Sequence, residues 1–409
     1  MNAPKIQLLL VDDNPVDAAL TERLLQAINQ ELPAHIRWVG SAEEALEELQ
    51  QHAYDLLLLD YQLPGASGLD VLTQLQKLPH RQRPAVIMLT ASGSEQVAVE
   101  AMRSGARDYL RKDELATAPL TRALMSALSQ KHLEDQVERY VAQTQSDLRM
   151  ARQLQHALLP QRFPVLPPTA TDEDTTLRFH ARYLSTTELG GDFYTVQPLS
   201  DTSAGVFVCD VMGHGVRAAL VTAMIRTLVE ELLPMADDPG RFLAGINRGL
   251  LAILKHVEEP LFATAFYLVA DVARGHLRYA SAGHPAPFLL QRSTGTVAPL
   301  PFTGIEAGPA LGIFESPTFA AAGQPLSPHD LVILFTDGLY EVRGEDGEEF
   351  GYERLLAAVR ARHHLPAEQL FDDLIRHAQQ QSASGEYDDD VCLLGVEVER
   401  TAPRGGEQP

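Results

Sequence analysis

Short apolar runs alternate with helix-patterned segments through the first 130 residues, and this alternation restricts the chain more than any other feature. Runs at residues 8–11, 36–39, 56–59, 86–89 and 109–110 have the length of strands. Segments 15–31, 42–52, 69–77 and 96–104 lie between them with helical spacing, and 115–129 follows the last. Strand and helix in strict alternation require a parallel sheet covered by helices on both faces. The runs are rich in Leu, Val and Ile, as central strands buried on both sides need to be. The expected first domain spans residues 1–128.

The texture then changes. Residues 129–160 hold no glycine, and Val137, Val141, Thr144, Leu148, Ala151, Gln155 and Leu158 repeat in steps of four and three. That spacing is a heptad seam, so a helical linker is expected that forms a coiled coil and a homodimer, or else a single helix packed against one of its own domains. Pro160, Pro164, Pro167 and Pro168 end it. Beyond lies a second unit, 161–400, with strand-like runs at 179–183, 205–210, 263–270, 277–281, 288–290, 331–335 and 391–398. Helical patterns at 216–233, 239–255, 352–362 and 366–381 interrupt them in pairs. Strands in runs with helices in pairs imply a layered α+β fold. The tail 401–409, with Pro and Gly and little apolar content, reads as disordered.

Charge and cysteine content remove several function classes. The net charge of -22 disfavours nucleic acid and anionic membrane as partners. No basic helix-turn-helix follows the first domain. The two cysteines, Cys209 and Cys392, make neither a disulfide framework nor a zinc cluster. No run is long enough to cross a bilayer, and a cytoplasmic location is expected.

Two sets of residues carry chemistry. Asp12 and Asp13 follow the first run, Asp60 the third, Thr90 the fourth, and Lys112 lies after the fifth. In an open parallel sheet the carboxyl ends of the strands face one crevice where ligands bind. These residues therefore converge, although they lie far apart in the chain. Three carboxylates in one crevice repel one another and call for a divalent cation, and oxygen donors of this kind suit Mg2+. A carboxylate can attack phosphorus to give an aspartyl phosphate.

The stretches Leu-Val-Asp-Asp, Leu-Leu-Asp-Tyr-Gln-Leu-Pro-Gly, Met-Leu-Thr-Ala and Asp-Tyr-Leu-Arg-Lys-Asp resemble the response-regulator receiver family over about residues 5–130. The resemblance implies a doubly wound, flavodoxin-like fold of five parallel strands. It makes Asp60 the phosphoacceptor and Asp12 and Asp13 ligands of Mg2+, with the carbonyl of Gln62 completing the metal site. Thr90 and Tyr109 become the switch pair, Lys112 a phosphoryl-binding group, and a histidine kinase or phosphotransfer protein the donor. Asp113 stands where many receivers carry proline.

The second set is Asp192 in Leu-Gly-Gly-Asp-Phe-Tyr, Asp210 in Val-Cys-Asp-Val-Met-Gly-His-Gly, Asp337 in Leu-Phe-Thr-Asp-Gly-Leu-Tyr-Glu and Asp389 in Tyr-Asp-Asp-Asp-Val-Cys. Carboxylates without His or Cys partners suit Mg2+ or Mn2+ rather than zinc. Two such ions can lower the pKa of a water and clamp a phosphoryl group for in-line displacement. Neither a Cys-x5-Arg loop nor a Gly-x-Ser-x-Gly elbow is present to support a nucleophilic route.

These motifs, with Ala-Arg-Gln-Leu-Gln-His-Ala-Leu-Leu-Pro and Ala-Gly-His-Pro-Ala-Pro, resemble the metal-dependent PPM (protein phosphatase 2C) family in its sporulation-protein-E-like branch, over about residues 150–398. By that resemblance Asp210 bridges two Mn2+ or Mg2+ ions and the carbonyl of Val211 binds one. Asp337 and Asp389 ligate the other, and Asp192 contributes through water. Thr195 departs from a position that is often acidic, and Cys392 from one that is often Thr. His214 is offset from the position of the wider family's histidine and receives no catalytic role, while His284 reads as structural.

Together the resemblances imply a response regulator whose output is a serine/threonine phosphatase acting on a phosphorylated anti-sigma-factor antagonist. The competing reading is a non-catalytic adaptor that binds a sigma factor or its regulator when Asp60 is phosphorylated.

Overall fold

The computed structural model describes residues 5–79, 82–91, 95–171, 174–186, 189–302, 307–345 and 347–400. The tail expected to be disordered, 401–409, lies outside the described residues. Contacts divide the chain into two compact units, Met1–Gln145 and Ser146–Pro409.

In the first unit, strands β1 (Ile6–Val11), β2 (Ala34–Val39), β3 (Leu56–Asp60), β4 (Ala85–Thr90) and β5 (Asp108–Arg111) form one sheet. Its order is β2-β1-β3-β4-β5, and every pair is parallel. Helices α1 (Pro15–Ala27), α2 (Ala42–Gln51), α3 (Gly68–Leu75) and α4 (Glu95–Arg103) connect the strands. Side chains cap the helices where the sequence supplies them. Asn14 accepts from the Val16 amide ahead of Pro15, Ser41 accepts from Glu44, and Ser67 and Asp70 form a reciprocal capping box.

The strand period of two sorts the core. Leu8, Leu10, Leu56 and Leu58 pack on one face with Leu25 and Leu120. Leu9, Leu57 and Leu59 pack on the other with Ala45 and Val71. The doubly wound, flavodoxin-like fold is therefore present, with its reversal of strand order between β1 and β3.

The fifth helix does not stop at residue 129. It continues as α5, Thr117–Leu158, over 42 residues. Its first turns bury Leu120, Ala123, Leu124 and Ala127. Beyond them Leu133, Val137, Tyr140 and Val141 are exposed, while Leu148, Ala151, Gln155 and Leu158 are half-buried. The heptad seam thus changes character along its length, since Gln155 spends its amide within the second unit.

The second unit is built from two antiparallel sheets. One contains β7 (Asp192–Ser200), β8 (Ser203–Val211), β9 (Ala263–Asp271), β10 (His276–Ala282) and β13 (Ala322–Pro325), in the order β13-β10-β9-β8-β7. The other contains β6 (Leu177–Leu184), β11 (Phe288–Gln291), β12 (Thr296–Pro299), β14 (Leu331–Phe335) and β15 (Val391–Val398), in the order β12-β11-β14-β15-β6.

Helices α6 (Val216–Glu231) and α7 (Pro239–Leu254) contribute Val221, Ile225, Phe242, Leu243 and Ile246 to the core shared with both sheets. Helices α8 (Tyr352–Ala361) and α9 (Ala367–Gln379) pack Leu355, Val359, Leu370 and Phe371 against Ile333, Phe335 and Leu393. The layered α+β expectation takes the form of paired sheets flanked by paired helices. Strand β7 was not expected. Two glycines precede it and Pro198 interrupts it, but it lies at a sheet edge, where proline removes no needed ladder bond.

Candidate functional site

In the first unit the carboxyl ends of β1 and β3 bring Asp12, Asp13 and Asp60 together, with one ligand oxygen of each within 4.8 Å of the others. Asp12 and Asp60 are buried and Asp13 is exposed, so the cluster opens to solvent on one side. Lys112, just past β5, reaches across. Its Nζ is 2.8 Å from Asp12 Oδ2 and 2.6 Å from Asp60 Oδ2. Asp17, in the first turn of α1, lies 3.2 Å from the same ammonium and was not singled out in the sequence.

Burial raises the Asp60 pKa, and the hydrogen bond from Lys112 offsets part of that. Burial would lower the Lys112 pKa, but its bonds to Asp12 and Asp60 outweigh this and hold the ammonium charged. The Gln62 amide donates to Asp60 Oδ1 at 3.3 Å. A Cβ on Gly68 would stand 2.4 Å from the Asp60 carbonyl, so the approach of α3 to β3 requires glycine there. Thr90 is buried at the end of β4, while Tyr109 on β5 is 41% exposed. The donor set, all oxygen and open on the Asp13 side, fits Mg2+.

In the second unit the two sheets end together, and four aspartates meet at that edge. Asp192 opens β7 and pairs directly with Asp210 of β8. Asp337 follows β14 and Asp389 precedes β15, whose Phe335 and Leu393 are ladder partners. Burial pushes the Asp210 pKa up to about 7, and Asp337, Asp389, Asp390 and Glu341 add to the rise. Asp192 is raised well above the carboxylate range by burial and then by Asp210. Asp337 and Asp389 are raised chiefly by burial as well. The four aspartates act on one another electrostatically, but among the described residues only Asp12, Asp13 and Asp60 bring three ligand atoms within 4.8 Å of one another. An oxygen-only donor set of this kind would fit Mg2+ or Mn2+.

Three residues that sequence reasoning missed hold this cluster in place. Thr336 is fully buried; it donates to Asp192 Oδ2 at 2.6 Å and accepts from the Cys392 amide at 2.9 Å, which ties β7 to the second sheet. Asp390, also buried, accepts from the amides of Thr186 at 2.9 Å and Gly191 at 2.8 Å. Gln155 on α5 grips the next peptide. Its Nε2 donates to the Gly190 carbonyl at 2.7 Å, and its Oε1 accepts from the Gly190 amide at 3.1 Å. A Cβ on Gly191 would meet the Val211 carbonyl at 2.6 Å, and one on Gly190 would meet Asp390 Oδ2 at 2.3 Å. The Gly-Gly pair before Asp192 is therefore a packing requirement. The signals were present in the quoted motifs, beside the residues chosen from them.

Of the histidines, His214 is exposed near Asp389 and helps hold that carboxyl's pKa down. His284 is buried, bonded through Nδ1 to Thr264 Oγ1 at 2.9 Å, and burial pushes its pKa down to about 3. It is thus a neutral packed ring. Val211 donates its amide to the Gly191 carbonyl at 3.1 Å, beside the cluster. Both cysteines are free and buried. No helix among the described residues is long and apolar enough to cross a membrane.

Comparison with known proteins agrees with this geometry. Residues 8–124 match the response regulator receiver domain, and residues 200–399 match Stage II sporulation protein E (SpoIIE). The phosphoserine phosphatase RsbP of Bacillus subtilis is 26% identical over 262 residues, covering 64% of this chain and 60% of the relative. The phosphoserine phosphatase RsbU of the same organism is 28% identical over 203 residues, covering 49% and 56%. The chain thus spans less than two thirds of the length of either relative. The SiaA-PP2C domain of Pseudomonas aeruginosa superimposes with a TM-score of 0.53 at 23% identity, covering 63% of this chain and 98% of that one, which establishes a shared fold.

The carboxylate cluster predicts a crossing of stabilities. Asp210→Asn removes one of the mutually repelling charges, so in excess chelator near pH 8 it should unfold at a higher temperature than wild type, by about 2–4 °C for each kcal/mol relieved. With Mn2+ the order should reverse, because only wild type gains from binding. Differential scanning calorimetry checks both arms, and the same order in both would count against a metal centre. In the first unit Trp38, the chain's single tryptophan, donates its indole N–H to the Asp12 carbonyl at 2.9 Å. Mg2+ should therefore change its fluorescence saturably in wild type, and far less in Asp13→Asn.

Proposed function

We propose that this chain, which joins a response regulator receiver domain to a SpoIIE/PP2C-type phosphatase domain, is a two-component response regulator with a metal-dependent protein serine/threonine phosphatase as its output. The observation that carries the reading is the meeting of Asp192, Asp210, Asp337 and Asp389 at one end of the paired sheets, each with its pKa raised. An adaptor freed from catalysis has no use for a set of buried carboxylates that destabilise one another. The phosphoserine activity in the names of RsbP and RsbU supports the same chemistry.

Asp210 would be a ligand of both ions and the Val211 carbonyl of one, Asp337 and Asp389 would hold the other, and Asp192 would contribute through water. Two divalent cations there supply an activated water and a clamp on the phosphoryl group. Thr336, Asp390 and Gln155 keep the ligand-bearing backbone in register. In the receiver, Asp60 would accept the phosphoryl group from a histidine kinase or phosphotransfer protein, and Asp12, Asp13 and the Gln62 carbonyl would hold Mg2+. Lys112 is within reach to neutralise the new phosphoryl oxygens, and Thr90 and Tyr109 form the switch pair. The substrate that the branch resemblance favours is a phosphorylated anti-sigma-factor antagonist.

Activity should require Mn2+ or Mg2+, and Asp210→Asn or Asp337→Asn should lower turnover of a generic phosphomonoester by about two orders of magnitude or more. Beryllofluoride, a phosphoryl mimic, should raise kcat/KM on a phosphoserine protein by roughly 5–150-fold, the usual range of allosteric coupling. That response should vanish in Asp60→Ala. Full activity in excess chelator would sink the metal mechanism. Equal rates with and without beryllofluoride in an active enzyme would leave the receiver as a binding module.

The exposed apolar residues Val137 and Val141 on α5 support pairing of two chains through the linker seam. Glu at Val141 and Leu148 would bury charges there at a cost. Light scattering should find a dimer for wild type and a monomer for the double variant, and a wild-type monomer at tens of micromolar (roughly the range of a weak coil) would refute the pairing.

A further inference from the structure

Apolar side chains stand exposed at the end of the second unit where the aspartates meet. Met212, directly after Val211, is exposed, and so are Val216 and Leu220, one turn apart at the start of α6. Across the sheet Val211 pairs with Ala263, and Ala263 bridges to Leu311. That row leads to Ile313 and Phe314, which are 47% and 56% exposed.

Beside Leu220 a groove of about 450 Å³ runs between α6 and the end of α7, lined by Leu220, Met224, Leu254, Val257 and Leu261. Of the charged residues along it, Arg217 and Glu259 pair with each other and Glu258 is the third. Leu261 joins the groove to the loop that carries Ile313, since a Cβ on Gly312 would stand 2.9 Å from the Leu261 carbonyl. The exposed residues and the groove are therefore one continuous apolar surface that begins next to Val211.

A buried side chain holds the loop in place. Asn247 of α7 donates Nδ2 to the Phe314 carbonyl at 2.9 Å, and its Oδ1 accepts from the Gly312 amide at 2.9 Å. Ile313 and Phe314 thus sit on a backbone fixed before any partner arrives, which lowers the ordering cost of binding. Contiguous exposed apolar surface of this kind marks an interaction site.

We infer that this surface docks the phosphoprotein substrate through apolar side chains that flank its phosphoserine, an inference that rests on the phosphatase reading above. A seryl side chain is short, so the backbone that carries the phosphate lies close against the surface beside the ions, and that surface is Met212, Val216 and Leu220. The net charge of -22 gives a phosphorylated partner no general attraction. Affinity beyond the phosphate itself therefore comes from contact, and the apolar surface supplies it. Binding energy from parts of the substrate that do not react can then serve the reaction at the ions.

Fluorescence anisotropy of the full chain with Mn2+ tests docking separately from catalysis. Two labelled peptides carry a non-hydrolysable phosphonate in place of phosphoserine; one has leucines on both sides of it and the other has serines at those positions. Wild type should bind the leucine peptide about 10-fold or more tightly. The double variant Leu220→Ser, Phe314→Ser should lose most of that difference. Both side chains are exposed, and thermal midpoints check that the variant folds. Its turnover of para-nitrophenyl phosphate, which has no flanking residues, should match that of wild type. Discrimination between the peptides without turnover of the ester would count against the phosphatase reading and still support docking. Turnover without discrimination, or discrimination that the double variant keeps, overturns the docking proposal. A wild-type dimer that the double variant turns into a monomer, with no discrimination between peptides, assigns the surface to a second copy and also overturns it.

Discussion

Repulsion between carboxylates is the constraint on which the candidate site of the second unit depends. Asp192 and Asp210 are ladder partners at the end of one sheet, and Asp337 and Asp389 close the same edge from the other. Burial first, and then further carboxylates, bring the Asp210 pKa up to about 7. Such an arrangement costs stability in the metal-free chain. It persists because the surrounding core fixes the strand ends. Val206, Val208, Val332 and Leu394 are fully buried among the residues of that core, and a strand anchored along its length cannot move its last residue away.

The receiver meets the same problem with a different answer. There the buried carboxylates of Asp12 and Asp60 share a resident cation, the Lys112 ammonium, at 2.8 and 2.6 Å. A fixed lysine neutralises part of the charge and leaves Asp13 exposed as the open side of the cluster. In the second unit the groups that act most on Asp210 after burial are all carboxylates.

The ligand geometry of the second centre rests on residues that bind nothing themselves. Asp390 spends its carboxylate on the amides of Thr186 and Gly191. Gln155 clamps both polar groups of the Gly190 peptide, and Thr336 stitches Asp192 to the neighbouring sheet. Each uses backbone groups that lie next to a ligand, so a small shift in any of them moves a carboxylate. Gly190, Gly191 and Gly338 follow from this crowding. At each of them a Cβ would lie under 3.0 Å from Asp390 or from the backbone beside Asp210.

Much of this was legible in the one-dimensional pattern. Alternating apolar runs and helical spacings specify a doubly wound sheet, because buried parallel strands need helices on both faces. Once that sheet is granted, Asp12, Asp13, Asp60 and Lys112 must share a crevice, since strand ends converge wherever the fold is of this kind. The four aspartates of the second unit were legible from their apolar and glycine neighbours.

Tertiary structure decided the rest. Edge strand β7 was hidden because a strand with one paired side tolerates the proline, Pro198, that a propensity reading takes for a loop. The sequence offered a helix at 115–129 and a helical linker after it, and the structure joins them into one helix, Thr117–Leu158. The tasks of Asp390, Thr336 and Gln155 could not be read at all, because each is defined by a partner at least 35 positions away in sequence. A motif names the residue type at a site, but only the packed chain shows which of three adjacent aspartates faces the cluster and which faces the peptide that holds it.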